Sequence, residues 1–373
     1  MRRFAFAGVA AVVLAALVGG VAGAGGAIVP GKTLVERWNG AAWVKIASPS
    51  PAGGDQLLDV DAIGLLNAWA VGVHGRGQTS HPLIEHWNGS KWVVQTPPST
   101  PGGTILRGVA AIAADDAWAV GDDGVDGIVL HWDGHHWTRD QEHLWNGARL
   151  GGVAANGHGD VWAVGELNDH GFAAHFDGEG WSAVATPNAP GEDRFSGVTA
   201  ISDHDAWAVG TSNASSPGYR TLAEHWDGQS WKIVATPGGN GSTLSGVADR
   251  GSSSVYAAGS VLNSQGCLRT LIERWDGHHW VLQTTPNPFS CDNELLGIGA
   301  SANGAVAVGD HPQNCPGTAC KQVTLTVRLV NGSWHLTSSP STPALFNLLS
   351  GASGVPGSNQ FWAVGVGTNG GGG

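Results

Sequence analysis

The segment HWDGHHW, residues 131–137, gathers three histidines and two tryptophans within seven positions. Imidazole is the commonest metal ligand among side chains, so a metal site is the sharpest chemistry that this cluster suggests. Adjacent side chains such as His135 and His136 diverge on a tight turn, however, and make a poor chelate. Related segments of the chain carry His278 and His279, or Ala, Ser, Lys and Gln, at the same two positions. We therefore interpret both histidine pairs as solvated residues at hairpin tips.

Carboxylates are concentrated in the segment GDDGVDG, residues 121–127, which contains Asp122, Asp123 and Asp126. Clustered oxygen ligands suit Ca²⁺, although this spacing does not match an EF-hand loop. We predict these three residues as the candidate calcium site, with a solvated acidic loop as the simpler alternative. The sequence indicates no other cofactor.

A second group of polar and aromatic residues forms the candidate ligand-binding site. Trp145 is the only tryptophan that lies outside the repeated motifs described below. An exposed tryptophan beside carboxylates is typical of a sugar or peptide contact. The candidate ligand-binding residues are Glu142, His143, Trp145, Glu166, Asp169 and His170.

The opening heptapeptide belongs to a motif that occurs seven times, and such internal repetition indicates a repeat fold. Its copies are ERWNGAAW (36–43), EHWNGSKW (85–92), LHWDGHHW (130–137), AHFDGEGW (174–181), EHWDGQSW (224–231), ERWDGHHW (273–280) and VRLVNGSW (327–334). A second motif, WAVG or a variant, also occurs seven times at spacings of 44 to 56 residues, and its final glycines are Gly72, Gly121, Gly165, Gly210, Gly259, Gly309 and Gly365.

Each repeat contains four predicted strands, represented by LRGVAAI, AWAVG, LIEHW and KWVVQT. Asn-Gly or Asp-Gly between apolar runs predicts a type I′ hairpin turn, which needs positive φ at both central residues. In the opening segment this turn is Asp133-Gly134, with Trp132 and Trp137 on the paired strands.

The two ends of the chain complete one repeat. Strands three and four come first (Leu34 to Ala47), and strands one and two come last (Leu345 to Val366). We therefore predict an all-β, seven-bladed β-propeller over residues 34–366, with four antiparallel strands per blade. Closing the last blade with N-terminal and C-terminal strands removes open sheet edges.

Residues present in every blade are what a blade needs, whereas a ligand site usually breaks the symmetry. We assign the tryptophans to the scaffold, as aromatic wedges between neighbouring blades. These rows are Trp38, Trp87, Trp132, Phe176, Trp226 and Trp275, then Trp43, Trp92, Trp137, Trp181, Trp231, Trp280 and Trp334, and Trp69, Trp118, Trp162, Trp207 and Trp362.

A basic residue precedes the turn aromatic in every repeat, and we expect it to pair with a polar group of the next blade. This row is Arg37, His86, His131, His175, His225, Arg274 and Arg328. Acidic residues precede four of these bases and are expected on the opposite face of the strand, because neighbouring side chains alternate. They are Glu36, Glu85, Glu224 and Glu273.

The repeat is similar to kelch repeats of the galactose oxidase-like propellers, where a strand ending in glycine precedes an aromatic-acidic turn and a tryptophan. It departs from them because WAVG carries one glycine rather than two and tryptophan replaces the usual tyrosine. The resemblance implies a propeller class that includes carbohydrate-active enzymes. Only Tyr219 and Tyr256 are present, and Tyr256 occupies a scaffold position, so tyrosine-based oxidase or sialidase chemistry is hard to build. Two carboxylates on separate loops would leave no linear signature, so glycosidase chemistry stays open.

The N-terminus predicts export. A basic start, an uncharged run from Phe4 to Val21 and the small residues Ala22 to Ala24 are typical of a secretory signal peptide, with a retained anchor as the alternative. We expect a signal peptide at 1–24, a linker at 25–33 and a Gly-rich tail at 367–373. The formal net charge of −12 argues against a nucleic-acid partner.

Four cysteines lie in the last third of the chain. An even number in an exported protein indicates disulfides, whereas a four-thiolate zinc site would need two close pairs. Cys267 and Cys291 fall in connections that reach the same face, so we predict Cys267–Cys291 and Cys315–Cys320.

We therefore expect a secreted or cell-surface, monomeric and non-catalytic binding module. Its predicted ligand is a glycan or an extracellular protein, bound on the face that carries the long loops. A structural or adhesive surface protein and a secreted carbohydrate-active enzyme are the alternatives.

Peptide mapping under non-reducing conditions tests the disulfide prediction. We expect crosslinked peptides that contain Cys267 with Cys291 and Cys315 with Cys320. Any other pairing contradicts the assignment.

Overall fold

A computed structural model describes residues 31–51, 54–75, 77–141, 145–213, 218–313, 320–340 and 346–368. The predicted signal peptide and most of the predicted linker and tail lie outside these ranges. Within them the chain forms 28 β-strands and one 3₁₀ helix, Gly77–Thr79.

The strands are β1 (Lys32–Trp38), β2 (Trp43–Ile46), β3 (Gln56–Gly64), β4 (Asn67–His74), β5 (His81–Trp87), β6 (Trp92–Val94), β7 (Ile105–Ala113), β8 (Asp116–Asp122), β9 (Gly127–Trp132), β10 (Trp137–Arg139), β11 (Ala148–Gly157), β12 (Asp160–Leu167), β13 (His170–Phe176), β14 (Trp181–Val184), β15 (Asp193–Ser202), β16 (Asp205–Ser212), β17 (Arg220–Trp226), β18 (Trp231–Ile233), β19 (Ser242–Asp249), β20 (Val255–Leu262), β21 (Leu268–Trp275), β22 (Trp280–Leu282), β23 (Glu294–Ser301), β24 (Gly304–Gln313), β25 (Lys321–Val330), β26 (Ser333–Leu336), β27 (Asn347–Gly354) and β28 (Phe361–Gly367).

These strands form seven four-stranded antiparallel sheets, which confirms the predicted seven-bladed propeller. Blades 1 to 6 take four consecutive strands each, from β3–β6 to β23–β26. Blade 7 has the order β2-β1-β28-β27, so the two ends of the described chain share one sheet. Pairing runs from Lys32 opposite Gly367 to Trp38 opposite Phe361.

Burial within a blade falls from the second strand outwards. All seven residues of β8 are buried, because this strand is covered by its own sheet and by both neighbouring blades. The fourth strand β18 buries only Trp231 and exposes its next two residues. The apolar WAVG strands therefore form the core, and the short fourth strands form the rim.

Tryptophans join each blade to the next, as predicted. The ring of Trp69 in blade 1 lies 5.1 Å, centroid to centroid, from each of Trp132 and Trp137 in blade 2. The same three-ring contact recurs for Trp118 with Phe176 and Trp181, Trp162 with Trp226 and Trp231, Trp207 with Trp275 and Trp280, and Trp362 with Trp87 and Trp92.

The glycine that ends each WAVG motif is required by a close approach of the backbone. A Cβ atom on Gly210 would lie 2.0 Å from the carbonyl oxygen of Arg194. This oxygen is pushed inwards by a β-bulge between Phe195 and Gly197. The other six blades repeat the bulge and the contact, so a single glycine per repeat is a packing requirement.

The predicted type I′ turn at Asp133-Gly134 is wrong. Trp132 pairs directly with Trp137, so the hairpin loop has four residues, and only Gly134 among them has positive φ. Asp133 instead accepts the backbone N–H groups of His135 and His136 on Oδ1, at 2.8 and 2.7 Å. The Asp133 carboxylate therefore accepts hydrogen bonds from the loop backbone, and the four-residue loop takes the place of a two-residue turn.

Blade 6 contains the turn that was expected elsewhere. Val330 pairs with Ser333, and both Asn331 (φ 51°) and Gly332 (φ 80°) are left-handed. The segment LVNGSW has the same length as WNGAAW, but its Asn-Gly lies one residue later. That shift alone converts a four-residue loop into a type I′ turn.

The basic row pairs within its own blade, contrary to the prediction. His86 lies opposite Trp69 in the sheet, so the two rings share a face, with centroids 4.3 Å apart. Its Nε2 meets Oδ1 of Asn67 at 2.9 Å. His131, His175 and His225 repeat this arrangement with Asp116, Asp160 and Asp205, and Arg37 repeats it with Gln360. The pairing register of the second and third strands decides the partner of each basic residue, because side chains directly opposite each other in a sheet lie on the same face.

Arg328 is the basic residue that does reach the next blade. Blade 6 has Val306 opposite Arg328, where the other blades have an aromatic ring. The guanidinium instead lies 4.1 Å from the ring centroid of Trp38 in blade 7. A cation–π contact thus replaces the missing tryptophan wedge.

One predicted disulfide is confirmed. Cys267 and Cys291 are bonded, with Cα atoms 4.8 Å apart, and join the β20–β21 loop to the connection that follows β22. Cys320 is also disulfide-bonded. Its predicted partner, Cys315, lies outside the described residues, so that pairing stays a prediction.

Four glutamates are fully buried on the third strands, on the face opposite the basic row: Glu36, Glu85, Glu224 and Glu273. Hydroxyls from the preceding blade donate to three of them: Ser339 to Glu36 and Ser48 to Glu85 at 2.7 Å, and Thr221 to Glu273 at 3.5 Å. Glu224 has no hydrogen-bond partner among the described residues, because the nearest equivalent hydroxyl, Thr186, donates to the carbonyl of Gly171. Burial, reinforced by the charge of Asp193, raises the pKa of Glu224 to about 8.

Replacing Trp162 with Ala tests the wedge between blades 3 and 4. We expect a loss of about 3–5 kcal/mol in the free energy of unfolding, because a fully buried indole is removed from a close-packed interface. Denaturant titration measures this loss, with His278→Ala at an exposed hairpin tip as the control. Equal stability of the two variants would contradict a structural role for the tryptophan row.

Glu224→Gln tests the buried carboxylate. Its folded pKa, about 8, exceeds the unfolded value of 4.5, so the folded state binds more protons between these values and stability falls as pH rises through them. We expect the variant to match the parent near pH 4.5 and to be more stable by roughly 2–4 kcal/mol at pH 9. The control is Glu179→Gln on an exposed hairpin tip. Parallel stability–pH curves for parent and Glu224→Gln would refute the assignment.

Candidate functional site

The first strand of each blade lines a central channel that is narrowed by glycine. A Cβ on Gly152 would lie 3.0 Å from the Cα of Gly197 in the next blade, so the inner strands touch through their backbones. Six blades carry glycine here: Gly108, Gly152, Gly197, Gly246, Gly297 and Gly351. The enclosed spaces measure only about 130 and 250 Å³. The channel interior is therefore small compared with typical ligand pockets.

Blade 1 carries Asp59 in place of the glycine, and the Asp59 side chain connects blade 1 to blade 2. Its Oδ2 accepts the N–H of Val109 in blade 2 at 3.0 Å. Asp61, two residues on, accepts the N–H of Ala111 and the hydroxyl of Ser353 from blade 7, at 2.9 Å each. Burial raises the pKa of both carboxyls, to about 7 for Asp59. These residues tie blade 1 to both neighbours.

The channel opens into a larger hollow of about 580 Å³ on the face that carries the between-blade connections. Arg107, Arg149 and Arg194 line it, and we call it the arginine mouth. They come from the first strands of blades 2, 3 and 4. Each arginine neighbours a buried apolar residue in its strand, so alternation directs the guanidinium away from the core.

The arginine mouth breaks the symmetry of the ring. At the position of Arg149 and Arg194, the other blades have Gln56, Ile105, Thr243, Glu294 and Leu348. Basic residues at this level are thus confined to one sector. Scaffold residues recur in every blade, whereas the residues of a ligand site usually do not. This sector is therefore the candidate site.

The three guanidinium groups differ in how they are held. Arg107 donates from Nε to Oδ2 of Asp122 at 2.7 Å, and the other oxygen of this buried carboxylate accepts the N–H of Gly124. Arg149 is exposed and Arg194 half-buried, and within the described chain neither side chain has a hydrogen bond or ion pair. Glu166 lies opposite Arg149 in the sheet, whereas Thr211 lies opposite Arg194. Arg149 and Arg194 therefore offer free donors to a carboxylate or another oxoanion.

The structure brings some of the predicted site residues together here. Asp122, Asp123 and Glu166 line the arginine mouth. Glu142 and His143 lie outside the described residues. Asp169 and Asn168 have positive φ and form a two-residue turn between β12 and β13.

His170 and Trp145 lie apart from the arginine mouth. His170 places Nδ1 3.0 Å from Oδ1 of the buried Asp193. The expectation that Trp145 is exposed is wrong, because only 2% of it is accessible. Its ring lies between blades 2 and 3, 5.3 Å from Trp181, and its Nε1 donates to Asp140. A stacking contact between Trp145 and a sugar is thereby ruled out in this conformation.

The acidic segment at 121–127 folds as a loop whose carboxylates accept backbone hydrogen bonds. Asp123 accepts the N–H groups of Val125 and Asp126, and Asp126 accepts that of Gly147. In the described ranges no group of three or more His, Cys, Asp or Glu residues is arranged to hold a metal ion. The calcium site stays a prediction.

The arginines of the mouth were missed by reasoning from the sequence. The signal was available, since basic residues occur in the first strands of three successive repeats and in no other described first strand, with Arg107 two positions further along its strand than Arg149 and Arg194. The acidic loops were predicted instead, because loop sequences differ more between the repeats than strand sequences do.

The part of the chain that is described contains no helix long and apolar enough to span a membrane. No protein-family model and no curated protein sequence matches the chain.

Solved β-propellers resemble it along most of its length. YCF48 bound to D1 peptide is 15% identical, with 95% of this chain and 98% of that chain covered and a TM-score of 0.55. YCF48 from Cyanidioschyzon merolae is 13% identical, with 88% and 98% covered and a TM-score of 0.56. The RRP9 WD40 repeats are 9% identical, with 83% and 94% covered and a TM-score of 0.52. At these identities the likeness shows the propeller fold alone, and it does not single out the kelch family.

Proposed function

We propose that this chain is a non-catalytic binding module that recognises a carboxylate-bearing segment of another protein at the arginine mouth. The observation that carries this proposal is the confinement of Arg107, Arg149 and Arg194 to three consecutive blades around one hollow. Symmetry explains none of them. Two of the three have no partner among the described residues.

The geometry suits recognition of a carboxylate. A guanidinium group offers a planar set of donors that matches two carboxylate oxygens. Arg107 is fixed by its hydrogen bond to Asp122. Arg149 and Arg194, on adjacent blades, have no hydrogen-bond partner among the described residues. Glu166 beside Arg149 favours a ligand whose carboxylate lies towards Arg194, because like charges repel.

The composition of the mouth favours binding over catalysis and protein over glycan. Its described lining contains serines, Ser80, Ser196 and Ser245, but no His, Lys, Cys or Tyr that could activate a serine or act as a nucleophile itself. Its one aromatic residue, Phe195, is buried, so no ring is free to stack on a sugar. A similarly folded propeller, YCF48, has been solved with a bound peptide, which is a precedent for this kind of ligand.

We also propose an extracytoplasmic location. Support comes from the basic and apolar start of the chain and from the disulfide Cys267–Cys291, since such bonds persist in oxidising compartments. The kelch-like assignment of the repeat remains a proposal that rests on the WAVG and turn motifs alone.

Binding of an acidic peptide tests the proposed function. Fluorescence anisotropy would compare a labelled Glu-containing peptide with its Gln twin on the purified protein. We expect Arg149→Gln with Arg194→Gln to weaken the Glu peptide about 10- to 100-fold, because each lost charged hydrogen bond costs about 1.5–3 kcal/mol. Arg220→Gln, an exposed arginine outside the mouth, is the control.

Equal affinity for the two peptides, or unchanged binding by the double variant, would overturn the proposal. Raising the salt concentration should weaken the genuine interaction, because exposed ionic contacts are screened. Repeating the titration with calcium and then with EDTA tests the calcium prediction separately.

A further inference from the structure

Two histidines lie opposite each other at the loop end of the β4–β5 hairpin in blade 1. His74 is the last residue of β4 and His81 is the first residue of β5, and the sheet pairs them directly. Directly opposed side chains lie on the same face of a sheet, with Cβ atoms about 4.5–5.5 Å apart. His81 is exposed, and 31% of the His74 side chain is accessible. An ion from solvent can therefore reach both imidazoles.

The ring of His74 is oriented by a buried carboxylate. Its Nδ1 lies 2.5 Å from Oδ1 of Asp55, whose side chain is fully buried, and Oδ2 of Asp55 accepts the hydroxyl of Ser50 at 2.7 Å. A carboxylate only accepts hydrogen bonds, so Nδ1 is the donor and Nε2 of the neutral ring carries the lone pair. Since the Nδ1 edge is turned to Asp55, the accessible edge is the one with Nε2. A carboxylate behind the ring is the usual support of a metal-binding histidine.

His81 supplies the second imidazole. Its side chain has no hydrogen bond, ion pair or ring contact with another residue of the described chain. Exposed side chains change rotamer rapidly, so this ring can turn towards His74. Asp55 is not a third ligand, because both of its oxygens already accept hydrogen bonds. Two protein ligands with water in the remaining positions agree with the finding that the described ranges hold no group of three ligating residues.

This pair breaks the symmetry of the ring. In five of the other blades, the equivalent pairs are Leu167 with His170, Ser212 with Arg220, Val261 with Arg269, His311 with Val323 and Gly367 with Lys32. In blade 2 the pairing stops one residue earlier, at Asp122 and Gly127. The hairpin therefore does not need imidazole at either position, and two imidazoles meet in blade 1 alone among the described hairpins.

We propose that His74 and His81 bind a divalent transition metal ion of the zinc class, with Asp55 as the positioning residue behind His74. Imidazole nitrogen suits zinc, copper and nickel, whereas calcium and magnesium prefer oxygen ligands. The loop that follows His74 contributes Gly77 and Ser80 to the wall of the arginine mouth, so the ion would lie beside that wall. The proposal goes beyond the proposed function and does not depend on it.

Calorimetric titration of the purified, untagged protein with zinc tests the proposal. We expect His74→Ala and His81→Ala each to weaken zinc binding about tenfold or more, because a single imidazole loses the gain of two linked ligands. His81→Ala removes a side chain without contacts, so this variant should fold as the parent does. Magnesium should not bind at this site, because it prefers oxygen ligands.

His170→Ala is the matched control. His170 is also held by a buried carboxylate, with Nδ1 3.0 Å from Oδ1 of Asp193, but Leu167 lies opposite it in the sheet. A single oriented imidazole is thus removed without touching the pair, and zinc affinity should equal that of the parent. As a second readout, zinc should protect His74 and His81, but not His170, from diethyl pyrocarbonate, followed by peptide mass spectrometry.

Asp55→Asn tests the positioning role. Loss of the carboxylate behind a metal-binding histidine typically costs about 10- to 100-fold in metal affinity, and we expect weakening in this range with both imidazoles still protected by zinc. Lower thermal stability with unchanged zinc affinity would show that Asp55 is merely structural and would overturn its positioning role.

The proposal of the site is overturned if zinc does not bind or if His81→Ala binds zinc as tightly as the parent. The exposed pairs His135-His136 and His278-His279 provide the last comparison. Loss of zinc binding on replacing either of these pairs with alanine, and not in His81→Ala, would show an adventitious ion only and would also overturn it.

Discussion

The contact between the WAVG tryptophan of one blade and the hairpin aromatics of the next is the interaction on which the ring depends. A four-stranded sheet has two apolar faces and cannot bury either of them alone. Each tryptophan can bury roughly 150–250 Å², or about 4–6 kcal/mol gross at 25 cal/mol/Å². In blade 6, where Val306 replaces the aromatic ring, the guanidinium of Arg328 covers Trp38 instead. The packing requirement thus persists even where the residue type changes.

This wedge also decides where polar groups can lie. In four blades a histidine packs on the WAVG tryptophan, which directs its nitrogen to the acid or amide two residues before that tryptophan, as His131 does to Asp116. On the other face, the buried glutamates depend on hydroxyls from the preceding blade. Burial raises the pKa of all four, to about 8 for Glu85 and Glu224 and to about 7 for Glu36 and Glu273. The sheet tolerates a carboxyl there in its neutral form.

A regular scaffold makes its exceptions meaningful. The inner strands touch through glycine, so the channel itself has little room. Accessible space occurs at the arginine mouth in blades 2 to 4 and at the hollow that opens where blade 2 lacks its Ser/Thr-Pro pair. The arginine mouth contains Arg149 and Arg194, whose side chains have no partners among the described residues.

Repetition in the sequence determined the number of blades, the four strands in each, the closure by both termini and the disulfide Cys267–Cys291, because these follow from periodicity and from which connections share a face. Tertiary structure decided what a single strand cannot show. The partner of His86 depends on sheet register, the loop at Asp133 on a side-chain acceptor, and the burial of Trp145 on the space between two blades. The arginine mouth exists only because ring closure places the first strands of three blades side by side, which joins residues that are about 40 positions apart in the chain.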